Sequence, residues 1–500
     1  MVAEHVHAAP HAAPHAAPIV VASNRGPVSY RLDGNGGLTA GRGGGGLVSG
    51  LSAIGPEAGA VWVCAALGEG DRLAARRAGR RLDPADTGGQ RVRMLDIPAE
   101  TFATAYNGVA NSVLWFVHHL LYQTPLEPVF DAGFREQWAA YEAYNAAFAD
   151  ALAEEAADGA AVLVQDYHLT LVPALLRARR PDLRIGHFSH TPWAPPDYYR
   201  MLPDDVAAQV LRGILGGDRA AFLTHRWAEA FAACCADVLG AEVLRVGDRL
   251  AVRSEGRTTA LGVHGLGADA GFLRERAHRP DVEERMAALR KQIGPDRRTI
   301  VRVDRTELSK NIVRGLHAFA ALLEEHPQWR GKVVHIAFAY PSRQDLAVYR
   351  DYTAEVERLA GEINAAWGTA DWTPVALHVK DDFARSLAAY RLADVALVNP
   401  IRDGMNLVAK EVPVVSDHGC ALVLSREAGA AAELGEDAIV VNPYDVAATA
   451  RALHEALLMD PVQRAERSKR LAAAATALPP ARWFVEQLEA LSAATTGRAG

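Results

Sequence analysis

From residue 298 onward the chain carries six short apolar runs: "RTIVRVDR", "KVVHIAFAYP", "VALHVK", "DVALVNP", "ALVLS" and "DAIVVNP". Alanine-rich helical stretches such as "IVRGLHAFAALLEEH" and "SLAAYRLA" separate most of them. No other feature limits the fold as strongly. Runs of this length, apolar throughout, fit strands covered on both faces, and strands alternating with helices define a parallel sheet. The N-terminal half shows the same grammar in "PIVVASN" (18–24), "AVLVQDY" (161–167) and "RIGHFSH" (184–190), with the helically spaced "LTLVPALLRARRPDL" between the last two. The expected architecture is α/β: two Rossmann-like, doubly wound domains facing a cleft. The expected boundaries are a disordered tail at 1–18, a first domain at 19–265, a second at 266–480, and a helix packing back at 481–500, frayed at its end. "GPDRR" (294–298) reads as a piece of linker.

Two domains suit 500 residues, because single cores stop growing at roughly 250–300 residues. Lys plus Arg total 53 against 60 Asp plus Glu, a net charge of −7, which gives no global reason to expect nucleic acid or an anionic membrane. The four cysteines, Cys64, Cys234, Cys235 and Cys420, form no CxxC pair. That argues against a disulfide framework or zinc site and for a reducing, cytoplasmic setting. The chain has no apolar run long enough to span a membrane. "MVAEHVHAAPHAAPHAAP" lacks the features of a signal peptide; His7, His11 and His15 are metal-ligand types, but the repeated HAAP unit reads as a Pro-interrupted tail.

In open parallel sheets, ligands bind beyond the carboxyl ends of the strands. Polar groups recur at those positions here: Asn24 and Arg25, Asp166, His190, Arg305, Arg343 and Asp403. In "NPIRDGMNLVAKE" (399–411), Asp403-Gly404 reads as a turn into a helix whose first amides suit a phosphate or sugar oxygen. Asp403 can accept from sugar hydroxyls, and Glu411, one turn beyond Leu407, can take a ribose diol. A simple capped helix with a surface ion pair explains the same residues. "VDRTELSK" places Arg305 and Lys310 where both reach one diphosphate, and Arg343 in "YPSRQD" repeats the theme; a solvated basic turn is the bland alternative. Asp166 and His190 form an acid–base pair, bind sugar hydroxyls, or are merely structural. "GRGGGG" (41–46) satisfies G-x-G-x-x-G through Gly41, Gly43 and Gly46, but the strand ends too early, so it reads as a loop closing over a ligand. No HExxH, GxSxG or P-loop is present, and no metal ligands stand at helical spacing.

Taken together, "VASNRGP", "GGGGLVSGL", "YNGVANSVLW", "VQDYHLTLVPALLR", "IGHFSHTPW", "VDRTELSKNI", "PSRQDLAVY", "VNPIRDGMNLVAKE", "LSREAGAAAEL" and "AIVVNPYD" resemble the trehalose-6-phosphate synthases. These are retaining glucosyltransferases with the two-domain GT-B fold. The resemblance covers roughly residues 19–485. It implies that Arg305 and Lys310 hold the donor diphosphate, and that Asp403 with the amides of Gly404, Met405 and Asn406 holds the donor glucose. Leu407 and Glu411 would contact the ribose, His190 the donor sugar near O6, and Gly46 would belong to the loop closing on the donor phosphates. Arg25 and Arg343 would grip the phosphate of glucose 6-phosphate, with Tyr106, Trp115 and Asp166 shaping the acceptor site. The implied partners are small-molecule substrates, without metal or other cofactor; a homo-oligomer is left open. Two departures stand out. Ala65 occupies about the place of a second family Trp. "VKDDF" puts a carboxylate, Asp382, near the nucleobase, where it would suit the N1–H and N2–H₂ edge of guanine; the expectation is therefore GDP-glucose over UDP-glucose, unless both acids face solvent. The same scaffold also fits a relative making glucosylglycerol phosphate or a pseudo-disaccharide, or a silent sugar-phosphate sensor.

Overall fold

The computed structural model describes residues 16–34, 36–42 and 59–496. The HAAP histidines and Gly46 lie outside them. The strands run in chain order β1 (Ala17–Ser23), β2 (Val28–Leu32), β3 (Leu38–Arg42), β4 (Val61–Ala65), β5 (Arg91–Leu95), β6 (Ala156–Gln165), β7 (Arg184–Ser189), β8 (Arg219–Phe222), β9 (Glu242–Val246), β10 (Arg249–Ser254), β11 (Arg257–Val263), β12 (Arg298–Arg305), β13 (Val333–Tyr340), β14 (Val375–His378), β15 (Val395–Val398), β16 (Ala421–Ser425) and β17 (Ile439–Val441). One sheet has the order β5-β4-β1-β6-β7-β8-β11-β10-β9 and the other β14-β13-β12-β15-β16-β17; β2 and β3 form a hairpin.

The second sheet is parallel throughout, and every residue of β13, "VVHIAFAY", is buried. Continuous burial follows from helices on both faces, which is why these strands read as unbroken apolar runs. The first sheet is parallel from β5 to β11 and then turns back antiparallel through β10 and β9. That antiparallel edge departs from the purely parallel expectation. Its strands are short and half-exposed, so they carry no apolar run to read.

Each sheet has a switch point, where the chain stops adding strands on one side and starts on the other. In the first it lies between β1 and β6, in the second between β12 and β15. Crevices form at such points. Arg25 follows β1, Asp166 follows β6, Arg305 ends β12, and the 399–411 stretch follows β15. The fold thus gathers these groups at two facing switch points.

Chain crossing occurs at 264–268, where Gly267 and Ala268 amides donate to the carbonyls of Leu478 and Ala475 (both 2.8 Å). "GPDRR" is not the joint: it turns the helix Pro280–Ile293 into β12 within the second domain. The tail boundary also shifts, since Ala17 and Pro18 already belong to β1 and pair with β6 from Ala17. The last helix, Pro480–Thr496, lies on the first sheet. Arg184 Nη1 donates to Ser492 Oγ (3.0 Å), and the Trp483 ring sits 4.9 Å from Phe188 and 5.6 Å from His190. All four cysteines are free and buried. Among the described residues no helix is long and apolar enough to cross a membrane.

Candidate active site

The stretch 399–411 does not run straight from Asp403-Gly404 into a helix. Asp403 bridges to Ala428, and the helix Leu407–Val415 begins later, capped by Asn406, whose Oδ1 accepts from the Ala409 amide (3.2 Å). Asn406 takes a left-handed φ of +60°, which asparagine tolerates. The Gly404 amide instead donates to its own neighbour, Asp403 Oδ1 (3.0 Å). The expectation of helix-terminal amides at Gly404 and Met405 is therefore corrected. They lie on an irregular connection before the helix, since Asn406 does the capping while Asp403 is held by Lys310.

Asp403 is no surface acid either. Lys310 Nζ donates to its Oδ2 at 2.6 Å, and Asn406 Nδ2 at 2.9 Å. Burial pushes this carboxyl up, but the Lys310 charge and hydrogen bond, with His119 and Asn406, together outweigh burial and hold it below its ordinary value. Burial likewise opposes charge on Lys310, and Asp403, Asp304 and Glu307 overcome it. The pair joins loops from either side of the second switch point, with only 13% and 8% of the two side chains exposed. Gly404 brings the domains together. A Cβ there would stand 2.1 Å from the His190 carbonyl oxygen, a contact only glycine allows.

Arg305 is the exposed cation of the set, with 53% of its side chain exposed and its Nη1 paired with Glu307 Oε1 (3.2 Å). Arg343, after β13, is the buried one. Its guanidinium lies 4.1 Å over the Trp115 ring, donates to Tyr349 OH (2.9 Å) and Tyr167 OH (3.4 Å), and pairs with Glu307 Oε2 (3.5 Å). Trp115 and Tyr167 come from the first domain, so Arg343 spans the cleft. The buried Trp115 indole N–H has no hydrogen-bond partner among the described residues, an opening for a ligand oxygen.

Tyr106 stands on the wide-turned π-helical segment Thr104–Leu114, a geometry frequent at functional sites. It stacks on His168 (5.6 Å). Burial raises its phenol, yet Arg25 and then Arg343 outweigh that and leave it below its ordinary value. Arg25, Tyr106, Trp115 and Arg343 are thus brought together.

Asp166 and His190 do not form the side-chain pair that an acid–base reading requires. The His190 ring Nε2 meets Gln165 Oε1 (2.8 Å), while Asp166 Oδ1 accepts from the His190 backbone amide (3.1 Å). Asp166 adopts φ +73°, an unusual conformation for a non-glycine residue. Burial pushes its carboxyl up to about 7 against the pull of the Tyr167, His190 and Thr191 amides. Burial, and secondarily His187, lowers His190 to about 3, so its ring is neutral and available to a sugar hydroxyl. Glu411 accepts from Tyr390 OH (3.3 Å), and burial raises it to about 7.

Asp382 is displaced from its expected role. Its Oδ1 caps the helix Phe383–Leu392 through the Arg385 amide (3.0 Å), and Oδ2 accepts from Arg285 Nε (2.8 Å). Both oxygens thus serve the fold, one as a helix cap and one in an ion pair. Two residues escaped the sequence reading. Glu307 is fully buried between Arg305 and Arg343, and His119 is buried with Nε2 unpartnered among the described residues, near enough to Asp403 for that charge to act on it. An acid sandwiched between two cations of one motif was the available signal for Glu307; His119 gave none. Among the described residues no three His, Cys, Asp or Glu side chains are grouped to hold a metal.

Two Rossmann-like sheets whose switch points meet across a cleft are the GT-B glycosyltransferase fold. The family model for glycosyltransferase family 20 matches residues 17–493. A UDP-forming α,α-trehalose-phosphate synthase of Aspergillus fumigatus is 36% identical, over 91% of this chain and 92% of its own length. The Schizosaccharomyces pombe enzyme of that name is 34% identical, over 91% and 86%. An Escherichia coli structure described as bound with UDP-2-fluoro glucose superposes with TM-score 0.80 and 29% identity, covering 95% of this chain and 98% of its own. A Burkholderia xenovorans synthase in complex with glucose-6-phosphate gives 0.82 and 26%, covering 95% and 99%. The chain belongs to glycosyltransferase family 20, the trehalose-6-phosphate synthases, and is an enzyme. The GDP-glucose expectation finds no support: both relatives are named UDP-forming, and Asp382 is engaged in a helix cap and an ion pair.

Proposed function

We propose that the chain transfers glucose from UDP-glucose to glucose 6-phosphate with retention, giving trehalose 6-phosphate. The observation that carries this reading is the pair of cationic positions on one cleft: Lys310 on Asp403 with exposed Arg305 beside it, and Arg343 over the Trp115 ring. One suits a diphosphate and the other a sugar phosphate. The ligands named for the Escherichia coli and Burkholderia structures match these two needs.

In this reading Lys310 and Arg305 meet the negative charge that develops on the departing diphosphate. Preorganised charge of this kind is worth about 10²–10³ in rate. Asp403 and the 404–406 backbone hold the glucose, His190 its O6 side, Leu407 and Glu411 the ribose. Arg25, Arg343, Tyr106, Trp115 and Asp166 seat the acceptor, whose hydroxyl approaches from the face the diphosphate leaves; a donor phosphate oxygen takes its proton. No protein carboxylate acts as nucleophile, and the reaction proceeds without a metal.

The test is product formation from glucose 6-phosphate with UDP-, GDP- and ADP-glucose side by side, the linkage read by NMR. The reading expects α,α-1,1-linked product and fastest turnover with UDP-glucose. Transfer only to another phosphorylated polyol, or fastest turnover with GDP-glucose, would refute it.

A further inference from the structure

Glu307 is a fully buried carboxylate in the loop after β12, and its side chain reaches Ser342 and Arg343 in the loop after β13. Its Oε1 faces Arg305 Nη1 (3.2 Å) and accepts from Ser342 Oγ (3.0 Å), while its Oε2 faces Arg343 Nη1 (3.5 Å). One side chain therefore touches a cation of each phosphate position. We propose that Glu307 is a positioning residue that presets both phosphate sites, holding Arg305 for the donor and Arg343 for the acceptor before either substrate arrives.

The physical case begins with Arg343. Only 7% of its side chain is exposed, and Glu307 is the anion paired with it. A buried guanidinium stripped of its anion is strongly disfavoured and leaves for solvent when it can. With Glu307 in place, Nη1 is engaged by Glu307 and Tyr349, and Nη2, held among the described residues by one long bond to Tyr167, stays turned toward the cleft. Arg305, being half-exposed, has many rotamers to lose on binding; Glu307 restricts them in advance. Burial opposes charge on Glu307, but Arg305, Arg343 and Lys310 outweigh it and hold it at about 2, so it stays charged through the working range. The helical-turn backbone is not at stake: the Lys310 amide donates to the Glu307 carbonyl (2.9 Å), which substitution of the side chain preserves.

This inference rests on the proposed assignment of donor and acceptor phosphates. The experiment therefore begins with the unmodified enzyme: UDP and glucose 6-phosphate are each titrated by calorimetry, and KM for both substrates is measured. Glu307→Gln keeps the shape and the Ser342 bond but removes the charge; Glu307→Asp keeps the charge. The expected result is a loss on the order of tenfold in affinity for both ligands and a rise in both KM values in Glu307→Gln, as for a side chain that must be ordered anew on binding. Glu307→Asp should retain more of both than Glu307→Gln. A role confined to folding would lower the melting temperature and leave both constants unchanged. If the native enzyme binds both ligands and Glu307→Gln, folded by circular dichroism, binds them equally well, the inference fails. If only one affinity moves, the shared role fails. If the native enzyme binds neither, the underlying assignment fails with it. Should Glu307→Gln not fold, Glu307→Asp decides alone: at 3.5 Å the Arg343 contact has no reach to spare, so the acceptor constant must weaken, and an unchanged constant overturns the proposal.

Discussion

Replacing Lys310 with alanine separates what this lysine does for the fold from what it does for the reaction. The side chain is mostly buried and donates to an equally buried Asp403 at 2.6 Å. Removing one partner of a buried pair costs ~3–5 kcal/mol, because the other charge is left without compensation. Asp403 would keep two donors, Asn406 Nδ2 and the Gly404 amide, which favours the low end. A loss of ~3 kcal/mol in a domain of this size lowers the melting temperature by roughly 6–12 °C. Turnover should fall further, by ~10²–10³, since the diphosphate loses a preorganised positive charge. Lys310→Ala combined with Asp403→Asn removes the orphaned charge as well. It should recover most of the lost melting temperature and none of the lost turnover. Calorimetric melting alongside steady-state UDP release, on protein shown to be folded, reads both quantities. Near-normal turnover in Lys310→Ala would refute the reasoning, as would recovery of turnover in the double variant.

Other perturbations follow from the same geometry. Gly404→Ala should cost ~10² in kcat/KM, because a Cβ 2.1 Å from the His190 carbonyl must push the domains apart by about an ångström; unchanged kcat/KM would show that the two loops need not touch. Asp382→Ala should lower stability by ~1 kcal/mol through the lost helix cap while leaving the preference among nucleotide sugars unchanged, checked by denaturant melts and parallel donor assays. Glu411, raised to about 7 by burial, is half protonated at neutral pH; if its carboxylate accepts from the ribose diol, UDP binding should tighten as pH rises from 6 to 8, and calorimetry should find that dependence flattened in Glu411→Gln. His118 and His119 are each lowered to about 3 by burial, so the stability from their neutral forms is present above the unfolded value near ~6.5 and is lost as pH falls toward 3. Acid titration of the melting temperature should show that decline.

The second sheet was legible in the sequence almost residue by residue, because strands covered on both faces must be continuously apolar. "RTIVRVDR" and "ALVLS" are observed strands to the residue. The β9–β11 edge was not legible, since its half-exposed strands mix charged and apolar side chains. At the site, the cations after β12 and β13 could be placed because strand ends at switch points are where ligands gather. What those cations touch could not. An acid ahead of a helix looks the same whether it reads a base or caps the helix, which is why Asp382 was misassigned. Asp403 showed the opposite error in the bland alternative: the residue that looks like a cap is half of a buried ion pair, and Asn406 does the capping. Glu307 stood between two cations of one motif, but its link to Arg343 was not legible, because the pairing of β12 with β13 brings that arginine beside it.

The central claim is that two sets of cations on one interdomain cleft receive two phosphorylated substrates at once. A crystal structure of the enzyme with UDP and glucose 6-phosphate tests it most directly. The account predicts Arg305 and Lys310 within hydrogen-bond distance of the diphosphate, and Arg25 and Arg343 on the sugar phosphate. Phosphates bound away from these side chains, with Lys310 still closed on Asp403 and out of reach of the diphosphate, would contradict it.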